Sequence, residues 1–334
     1  MNIIIPMAGM GKRMRPHTLT VPKPLVPIAG KPIVQRLVED IHKVCREKLD
    51  EIGFIIGHFG EQVEKDLLAI AESVGAKGRI FYQEEALGTA HAIMCAESLL
   101  EGNVVVAFAD TLFKADFVLD TKQEGIIWVQ KVEDPRAFGV VKLDAKGVIT
   151  DFVEKPEQFV SDLAIIGIYY FKDGAYLRSE LKYLLDNNIT EKGEFQLTNA
   201  LENMKQKGTA FVPGKVTEWL DCGNKNATVY TNQRYLEFIK DTPLVHASAK
   251  IENSVIIPPV FIGANAVIKN SVVGPHVSVG DKTKIVDSRV QNSIVQKDSI
   301  IANANIANSM LGNSASYEGT PHDLSVGDFN TIKQ

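Results

Sequence analysis

The sequence is short of cysteine and has no long apolar run, and both shortages narrow the classes of protein it can belong to. Its 334 residues include only three cysteines, Cys45, Cys95 and Cys222. Their odd number and long spacings fit neither a disulfide framework nor a metal-ligand pattern, so we expect buried or partly buried thiols in a reducing compartment. No stretch approaches the length of a membrane span, and the apolar run at residues 2–6 is too short for a signal peptide. We therefore expect a cytoplasmic protein that does not enter a membrane.

The chain also lacks an excess of positive charge. The chain has 36 Lys and Arg against 41 Asp and Glu, and its net charge is -5. We therefore expect no general attraction to nucleic acid or to anionic membranes, and any phosphate chemistry must come from local clusters of Lys and Arg. The composition, with 45% hydrophobic and 23% charged residues, is ordinary for a globular protein, and the length suits about two domains.

The apolar pattern of residues 1–240 is that of an α/β protein. Predicted strands cover residues 2–5, 52–56, 80–83 and 104–109. Three helices are predicted. One begins with Pro32 as its first residue, a second follows the apolar stripe from Val63 to Val74, and a third covers residues 90–100. Alternation of strands and helices predicts a mixed, mostly parallel sheet. Such sheets bind ligands at the carboxyl ends of their strands.

After about residue 245 the pattern changes to one of short repeats. Aliphatic residues recur every five or six positions, with Gly, Asn, Ser and Asp between them: Ile262, Ile268, Val273, Val279, Ile285, Val290, Val295, Ile301, Ile306 and Leu311. This pattern predicts a parallel β-helix of hexapeptide repeats over residues 245–334, with an ordinary β-sandwich as the alternative. The segment 211–240, which ends in a predicted helix, leads into it.

A glycine-rich turn follows the first predicted strand. Residues 7–16 read MAGMGKRMRP, and Lys23 follows between two prolines. A glycine-rich turn at a strand end lets backbone N–H groups approach phosphates closely, and the cations add positive charge. Neither a Walker A motif nor G-x-G-x-x-G is present. Taken alone, the turn fits a structural role with solvated charges equally well.

Four further positions, Gln83, Thr89, Asp110 and Asp221, carry polar groups suited to nucleotide chemistry. Gln83 ends the third predicted strand, and its amide can pair with both a donor and an acceptor on a pyrimidine edge. Thr89 is a candidate N-cap of the next helix. Asp110 ends the strand 104–109, where a carboxylate suits Mg²⁺, a hard ion that prefers oxygen ligands. Asp110 and Asp221 each have the alternative of being a cap or turn residue.

Taken in order, six segments of residues 1–240 resemble the sugar-1-phosphate nucleotidylyltransferase family. In this chain the stretch A-G-M-G-K-R-M-R-P, followed by P-K-P-L-V-P-I-A-G-K-P, resembles the signature loop of the family. The chain has Lys12 where the family usually has Thr. Its one-residue-shorter form is closest to that of bacterial UTP–glucose-1-phosphate uridylyltransferases. The run Q-x-x-x-L-G-T-A-H-A resembles the base-recognition segment of uridylyl and thymidylyl members. The runs F-A-D, with Ala109 in place of the usual Gly, and W-L-D-C-G resemble the two metal segments. The runs F-V-E-K-P and I-I-G-I-Y resemble segments that face the sugar.

The resemblance implies a Rossmann-like nucleotidyltransferase domain over residues 1–240, followed by a left-handed β-helix over 245–334. It also implies site residues. Nucleotide contacts would come from Ala8, Gly9, Met10, Gly11, Lys12, Arg13, Gln83, Leu87, Gly88 and Thr89. Sugar-phosphate contacts would come from Gly139, Glu154, Lys155, Gly167 and Glu194, although helix capping is equally plausible for Glu194. The catalytic set would be Arg13, Lys23, Asp110 and Lys155, with Mg²⁺ on Asp110 and Asp221.

The expected reaction joins a nucleoside triphosphate, dTTP or UTP by preference, to a hexose 1-phosphate, glucose 1-phosphate by preference. An oxygen of the sugar phosphate attacks the α-phosphorus in line and pyrophosphate leaves. A phosphate monoester has a second pKa of about 6, so the nucleophile is already anionic near neutral pH and needs no general base. The absence of an obvious Ser/His/Asp set agrees with this.

Several alternatives stay open. The β-helix could transfer an acyl group from a coenzyme A thioester, with His276 or His322 as base. The chain could instead be a nucleotide-sugar sensor or scaffold subunit without activity, or it could use GTP and mannose 1-phosphate. We interpret His91 as a packing or surface residue. Since the flat faces of a β-helix can pack against copies of themselves, we expect a homo-oligomer.

Overall fold

The computed structural model describes residues 1–9, 11–115, 118–321 and 323–332. It divides into two units, one of Met1–Val26 and Lys31–Asn224, the other of Pro27–Gly30 and Lys225–Gln334. The predicted domain boundaries fall at residues 240 and 245, whereas in the structure the first unit ends at Asn224 and the second continues from Lys225. Within the part of the chain just given, no helix is both long and apolar enough to cross a bilayer.

The elements of residues 1–224 alternate as the sequence predicts. In chain order they are β1 Asn2–Pro6, β2 Pro27–Ile28, β3 Lys31–Pro32, α1 Ile33–Val44, β4 Glu51–Ile56, α2 Glu61–Ser73, β5 Lys77–Tyr82, α3 Thr89–Met94, β6 Val104–Ala107, β7 Thr111–Lys114, β8 Gly125–Lys131, β9 Gly139–Leu143, β10 Ile149–Glu154, β11 Leu163–Phe171, α4 Gly174–Asp186, α5 Leu197–Gln206, β12 Phe211–Lys215 and β13 Glu218–Asp221. Short 3-10 turns lie at Lys12–Met14, Lys23–Leu25, Glu97–Leu99 and Pro135–Ala137.

The central sheet is mixed, and its parallel part carries the cleft described below. Strands β6, β1, β4 and β5 are parallel neighbours in that order. Strand β11 runs antiparallel between β6 and β8, and β9 with β10 forms the hairpin that residues 144–147 predict. Ile3, Ile4 and Ile5 are all fully buried, as expected for a parallel strand covered on both faces. The predicted α/β fold is confirmed.

Two predicted helix boundaries are wrong. Helix α1 begins at Ile33, not Pro32, because Pro32 lies in the extended strand β3 with φ -51° and ψ 144°. The helix predicted over residues 90–100 ends at Met94 and is followed by a separate 3-10 turn at Glu97–Leu99. Neither difference moves the polar residues at the strand ends.

The second unit is a parallel β-helix with one α-helix, as predicted for its repeat region. Its elements are α6 Lys225–Phe238, β14 Lys250–Glu252, β15 Val255–Ile256, β16 Val260–Ile262, β17 Val267–Lys269, β18 Val272–Val273, β19 Val277–Val279, β20 Lys284–Val286, β21 Arg289–Gln291, β22 Ser293–Val295, β23 Ile300–Ala302, β24 Asn305–Ala307, β25 Met310–Leu311 and β26 Ser316–Glu318. Every third strand pairs in parallel, which gives three sheets around one core. Eight of the ten predicted inward residues, from Ile262 to Ile301, are at most 1% exposed, and Ile306 and Leu311 are partly buried.

The corners of the β-helix explain its small polar residues. Asn253, Asn270 and Asp287 lie at equivalent corners with φ between 45° and 49°, a left-handed conformation that Asn and Asp tolerate. Their side chains form a ladder, since each amide donates to the next rung at 2.9 Å. Ser271 Oγ accepts a hydrogen bond from the N–H of Ser288 on the next rung at 3.1 Å. Each turn of the β-helix therefore satisfies the backbone of the following turn.

Candidate active site

A cleft of about 770 Å³ opens in the first unit at the carboxyl ends of the parallel strands. Its walls come from the turn after β1 (residues 7–9 and 11–13), from residues 57 and 58 after β4, from residues 83, 84, 86, 88 and 89 after β5, and from residues 108–110 after β6. The rest of the lining is Pro6, Lys23, Pro24, Ala92, Glu194 and Gly223. This is the edge at which open α/β sheets bind ligands.

The glycine turn after β1 forms one wall. Gly11 has φ 58° and ψ 38°, and a Cβ placed there would lie 2.8 Å from Cβ of Lys23. Only glycine therefore lets the stem of Lys23 pack against the turn. A Cβ at Gly9 would meet no atom within 4 Å, which leaves the cleft open at that point.

Four other residues of this turn were predicted to contact the nucleotide: Ala8, Met10, Lys12 and Arg13. Ala8, Lys12 and Arg13 line the cleft, and both cations are exposed. Met10 lies outside the described residues. The turn thus offers backbone groups and two exposed cations to an anionic ligand.

Lys23 and Asp110 meet in the cleft. The Lys23 Nζ lies 3.0 Å from Oδ2 of Asp110. The side chain of Lys23 is only 10% exposed, whereas that of Asp110 is 47% exposed. The ammonium is thus held in place by its surroundings, while the carboxylate faces solvent.

Asp221 is brought beside Asp110 by strand pairing. Strand β13 runs antiparallel to β7 with Asp221 opposite Thr111, and the N–H of Cys222 donates to the carbonyl of Asp110 at 2.9 Å. The N–H of Gly223 donates to Oδ1 of Asp221 at 2.8 Å. Burial raises the pKa of Asp221, and the negative charge of Asp110 raises it further. The two carboxylates therefore repel each other, and of the two only Asp110 is among the residues that line the cleft.

The predicted base-recognition segment borders the cleft after β5. The Gln83 Nε2 lies 3.4 Å from the carbonyl of Gly88 and 3.3 Å from Nδ1 of His91, so its amide is oriented by two long contacts. Gly88 has φ 111°, and a Cβ there would lie 2.5 Å from the carbonyl oxygen of Phe195. Leu87 is exposed and does not line the cleft, but its carbonyl accepts the N–H of Phe195 at 2.8 Å.

The prediction that Thr89 caps its own helix is wrong. The cap position of α3 is Gly88, and Thr89 is already helical. The Thr89 Oγ1 accepts a hydrogen bond from the N–H of Leu197 at 2.8 Å and donates to Oε1 of Gln196 at 3.2 Å. Thr89 therefore caps α5, because the close approach at Gly88 brings the starts of the two helices together.

Three predicted sugar-phosphate residues form a group on the β9–β10 hairpin. Glu154 lies opposite Gly139 in register, and a Cβ at Gly139 would be 3.0 Å from Oε2 of Glu154. The Lys155 Nζ lies 3.4 Å from Oε1 of Glu154. Burial first, and then the charges of Glu154 and Asp110, raise the pKa of Tyr169. The charges of the hairpin and of the cleft floor therefore both act on this one phenol.

The other two predicted sugar residues lie nearer the cleft. Gly167, with φ 83°, has its carbonyl 2.9 Å from the N–H of Phe108, whose ring lines the cleft. Glu194 lines the cleft, is exposed, and accepts a hydrogen bond from Nε2 of Gln196 at 2.9 Å. The N-cap residue of α5 is Gln196, so Glu194 does not hold the cap position considered for it.

Sequence reasoning missed His58 and Glu84, which also line the cleft. The His58 Nε2 lies 2.9 Å from Oε2 of Glu84, and its ring stacks on Tyr82 with centroids 5.2 Å apart. Both residues follow the carboxyl ends of β4 and β5. The rule that ligands bind at strand ends was the signal that could have identified them.

Of the two histidines considered for acyl transfer, His276 lies at a corner of the β-helix and His322 lies outside the described residues. The His276 Nε2 is 2.7 Å from Oε1 of Glu237 on α6, and the histidine side chain is 17% exposed. This contact joins α6 to the β-helix.

A sequence model of the nucleotidyl transferase family matches residues 2–237. The chain belongs to the nucleotidyl transferase family. The family resemblance predicted from the six segments is thereby confirmed. The match covers every element that lines the cleft.

Three relatives illustrate the range of this family. The chain is 31% identical over 246 residues to the low-salt glycan biosynthesis nucleotidyltransferase Agl11 of Haloferax volcanii, covering 71% of this chain and 66% of that protein. It is 31% identical over 260 residues to the bifunctional protein GlmU of Methanococcus maripaludis, covering 77% and 59%. It is 30% identical over 268 residues to the mannose-1-phosphate guanylyltransferase catalytic subunit beta of Drosophila melanogaster, covering 77% and 69%. The chain thus spans less than two thirds of the length of the first two relatives.

Solved structures agree on the fold. A UDP-glucose pyrophosphorylase complexed with UDP-glucose superposes with a TM-score of 0.59 at 24% identity, covering 71% of this chain and 98% of that one. The apo form of a UDP-glucose pyrophosphorylase gives a TM-score of 0.58 at 23% identity, with the same coverage. At these identities the likeness supports the nucleotidyltransferase fold alone.

Proposed function

We propose that this chain joins a hexose 1-phosphate to a nucleoside triphosphate and releases pyrophosphate in the cleft of the first unit. The observation that carries the proposal is the contact of 3.0 Å between the buried Lys23 ammonium and Asp110, with Asp221 beside it, at the mouth of the glycine turn. Membership of the nucleotidyl transferase family supports the reaction class.

The chemistry is an in-line displacement at the α-phosphorus. An anionic oxygen of the sugar phosphate forms the new P–O bond, and the bond to the β-phosphate oxygen breaks as pyrophosphate leaves. The second pKa of a phosphate monoester is about 6, so the nucleophile carries its charge without a general base. The main obstacle is repulsion between anions, so catalysis depends on positioning and on neutralising charge.

The side chains of this chain suit those two tasks. Lys23, held rigidly at the cleft floor, would neutralise charge on the triphosphate, and Arg13 in the exposed turn would add a second cation. Lys155 would pair with the sugar phosphate while Glu154 accepts hydrogen bonds from sugar hydroxyls. Gln83 would pair with the edge of the base.

The carboxylates of Asp110 and Asp221 fit a magnesium ion. Burial and then the negative charge of Asp110 raise the pKa of Asp221, and a hard divalent cation bound by both carboxylates would relieve their repulsion. Among the described residues, no group of three or more His, Cys, Asp and Glu could hold a metal alone, so substrate oxygens and water would supply the other ligands. When bound, Mg²⁺ would supply charge neutralisation at the phosphates.

We propose UTP or dTTP with glucose 1-phosphate as the preferred pair. The amide of Gln83 at the cleft wall supports a pyrimidine, because it presents both a donor and an acceptor. The Drosophila relative is named for GTP-dependent chemistry on mannose 1-phosphate, so that pair belongs in the same test.

The test is pyrophosphate release with Mg²⁺ over four sugar 1-phosphates against UTP, dTTP, GTP, ATP and CTP. We expect one clear maximum, at glucose 1-phosphate with UTP or dTTP. Lys155→Ala should abolish turnover in a folded protein, while Lys146→Ala, in the exposed turn of the same hairpin, should leave it unchanged. A folded protein that binds nucleotide but releases no pyrophosphate with any pair would replace the proposal with the sensor or scaffold alternative.

A further inference from the structure

A short segment next to Lys23 belongs, by its packing, to the C-terminal unit. The chain leaves the first unit after Val26, and residues Pro27–Gly30 group with Lys225–Gln334 before the chain returns at Lys31. The N–H of Ile33 donates to the carbonyl of Val26 at 3.0 Å, which closes the base of this excursion. The excursion, residues Pro27–Gly30, is therefore joined to the first unit at both ends, while its tip, Ala29 and Gly30, belongs to the second unit.

Only residues 24–26, which form a short and stiff turn with Lys23, separate this excursion from Lys23. Lys23 begins the 3-10 turn Lys23–Leu25, and the N–H of Val26 donates to the carbonyl of Lys23 at 3.0 Å. Pro22 and Pro24 flank Lys23 and fix their own φ angles. A displacement of residue 27 would thus be passed along a stiff turn to Lys23.

Asn232 holds the tip of the excursion by a buried hydrogen bond. The N–H of Ala29 donates to Oδ1 of Asn232 at 2.9 Å, and Oγ of Ser278 donates to the same oxygen at 2.6 Å. Asn232 is fully buried and Ala29 is 1% exposed. Both partners of Asn232 lie in the second unit, so the helix α6 joins the tip to the β-helix.

Phe261 holds the tip by shape. Gly30 has φ 86°, and a Cβ there would lie 2.2 Å from the Phe261 ring. The ring therefore packs directly on the glycine backbone. No side chain other than hydrogen would fit at this position.

We propose that Asn232 and Phe261 are positioning residues for Lys23, acting through the segment Pro27–Gly30. The C-terminal unit would thereby contribute to the rate of nucleotidyl transfer. The inference rests on the proposed function, in which Lys23 meets the phosphates. A misplacement of about 1 Å in such a group can cost about 10²-fold in rate.

Asn232→Ala removes the acceptor for Ala29 and should lower kcat at least tenfold, with KM for the triphosphate within about twofold of wild type. Ser278→Ala is the matched control, since it removes the other hydrogen bond to the same oxygen and leaves the contact with Ala29. It should keep kcat within about twofold of wild type. Asn232→Asp keeps the acceptor, and because Nδ2 of Asn232 has no hydrogen-bond partner in the described structure, it loses no donor contact. It should restore kcat to within about threefold of wild type.

A double variant tests whether the effect passes through Lys23. If it does, Lys23→Met combined with Asn232→Ala should be no slower than Lys23→Met alone, because the group that Asn232 positions is already gone. Multiplying rate losses would overturn the proposal. So would equal losses of kcat in Asn232→Ala and Ser278→Ala, which would indicate a general loss of stability.

Phe261→Leu serves as a second variant if Asn232→Ala does not fold. It keeps an apolar side chain but leaves a gap over Gly30, and it should also lower kcat more than KM. Wild-type kcat in a folded Phe261→Leu would contradict the inference. Absence of any turnover in the wild-type protein would instead contradict the proposed function, so the two failures are distinguishable.

Discussion

Lys23→Met removes the ammonium at the cleft floor and keeps an unbranched stem of similar size. The Lys23 side chain is 10% exposed and its Nζ lies 3.0 Å from a carboxylate oxygen, so water screens its charge only in part. At an effective dielectric constant of about 20, a charge pair about 4 Å apart interacts by about 4 kcal/mol. Loss of such an interaction with the phosphates should lower kcat by about 10²–10³-fold, or about 3–4 kcal/mol of barrier.

The stability of the same variant should change little. Asp110, the partner left behind, is 47% exposed and stays hydrated without Lys23. Loss of a pair with one solvated member costs about 1 kcal/mol or less. For a chain of 334 residues that corresponds to a shift of at most about 1–2 °C in unfolding temperature.

Lys207→Met is the matched control, because it should lower stability without lowering kcat. Lys207 donates to both oxygens of Glu180 at 2.7 and 2.8 Å, and Glu180 is 5% exposed. Removing Lys207 leaves that buried carboxylate without the ammonium, so the unfolding temperature should fall further than in Lys23→Met while kcat stays at the wild-type value.

Steady-state pyrophosphate release and thermal unfolding followed by circular dichroism measure both quantities in all three proteins. A kcat for Lys23→Met within about threefold of wild type would refute the role of Lys23 as the charge that meets the phosphates. So would a rate loss that follows the loss of unfolding temperature in both variants.

Three further predictions concern the cleft wall, the thiols and the β-helix. Gly88→Ala should lower stability by about 1–3 kcal/mol and weaken nucleotide binding, because its Cβ would lie 2.5 Å from a backbone oxygen; urea unfolding and nucleotide titration check this, and an unchanged midpoint would count against the close approach. Burial raises the pKa of Cys45 to about 12, so a thiol reagent should modify the half-buried Cys95 before Cys45 in the folded protein, and mass spectrometry showing the reverse order would contradict this. The hydrogen bond from His276 holds the pKa of Glu237 below its usual 4.5, so the contact stabilises the fold above that pH and the stabilisation is lost as the pH falls through the lowered value. The difference in unfolding temperature between wild type and His276→Gln should therefore shrink on acidification, and a pH-independent difference would speak against the hydrogen bond between His276 and Glu237.

Local periodicity carried most of the fold prediction. The alternation of apolar runs and helical stripes is a property of neighbouring residues, and so is the recurrence of aliphatic residues in the β-helix. These features need no knowledge of distant contacts, which is why the sequence predicts them.

Contacts between distant residues were beyond that reasoning. Thr89 caps a helix 108 residues away, and Ala29 bonds to Asn232 across 203 residues. Asp110 and Asp221 become neighbours only because β13 pairs with β7, and without the family resemblance each was equally well read as a turn residue. His58 was missed because an exposed histidine after a strand has no distinctive local pattern.

The central claim is that the bond to the α-phosphorus is exchanged in this cleft, and phosphorus NMR tests it most directly. The protein is incubated with Mg²⁺ and the sugar phosphate and triphosphate that give the highest rate, with Asp110→Asn in parallel. The account predicts that the α-phosphorus appears in a nucleoside diphosphate sugar, that the β- and γ-phosphates leave together as pyrophosphate in equal amount, and that Asp110→Asn gives neither product. Release of orthophosphate, or the same products from Asp110→Asn at the wild-type rate, would contradict it.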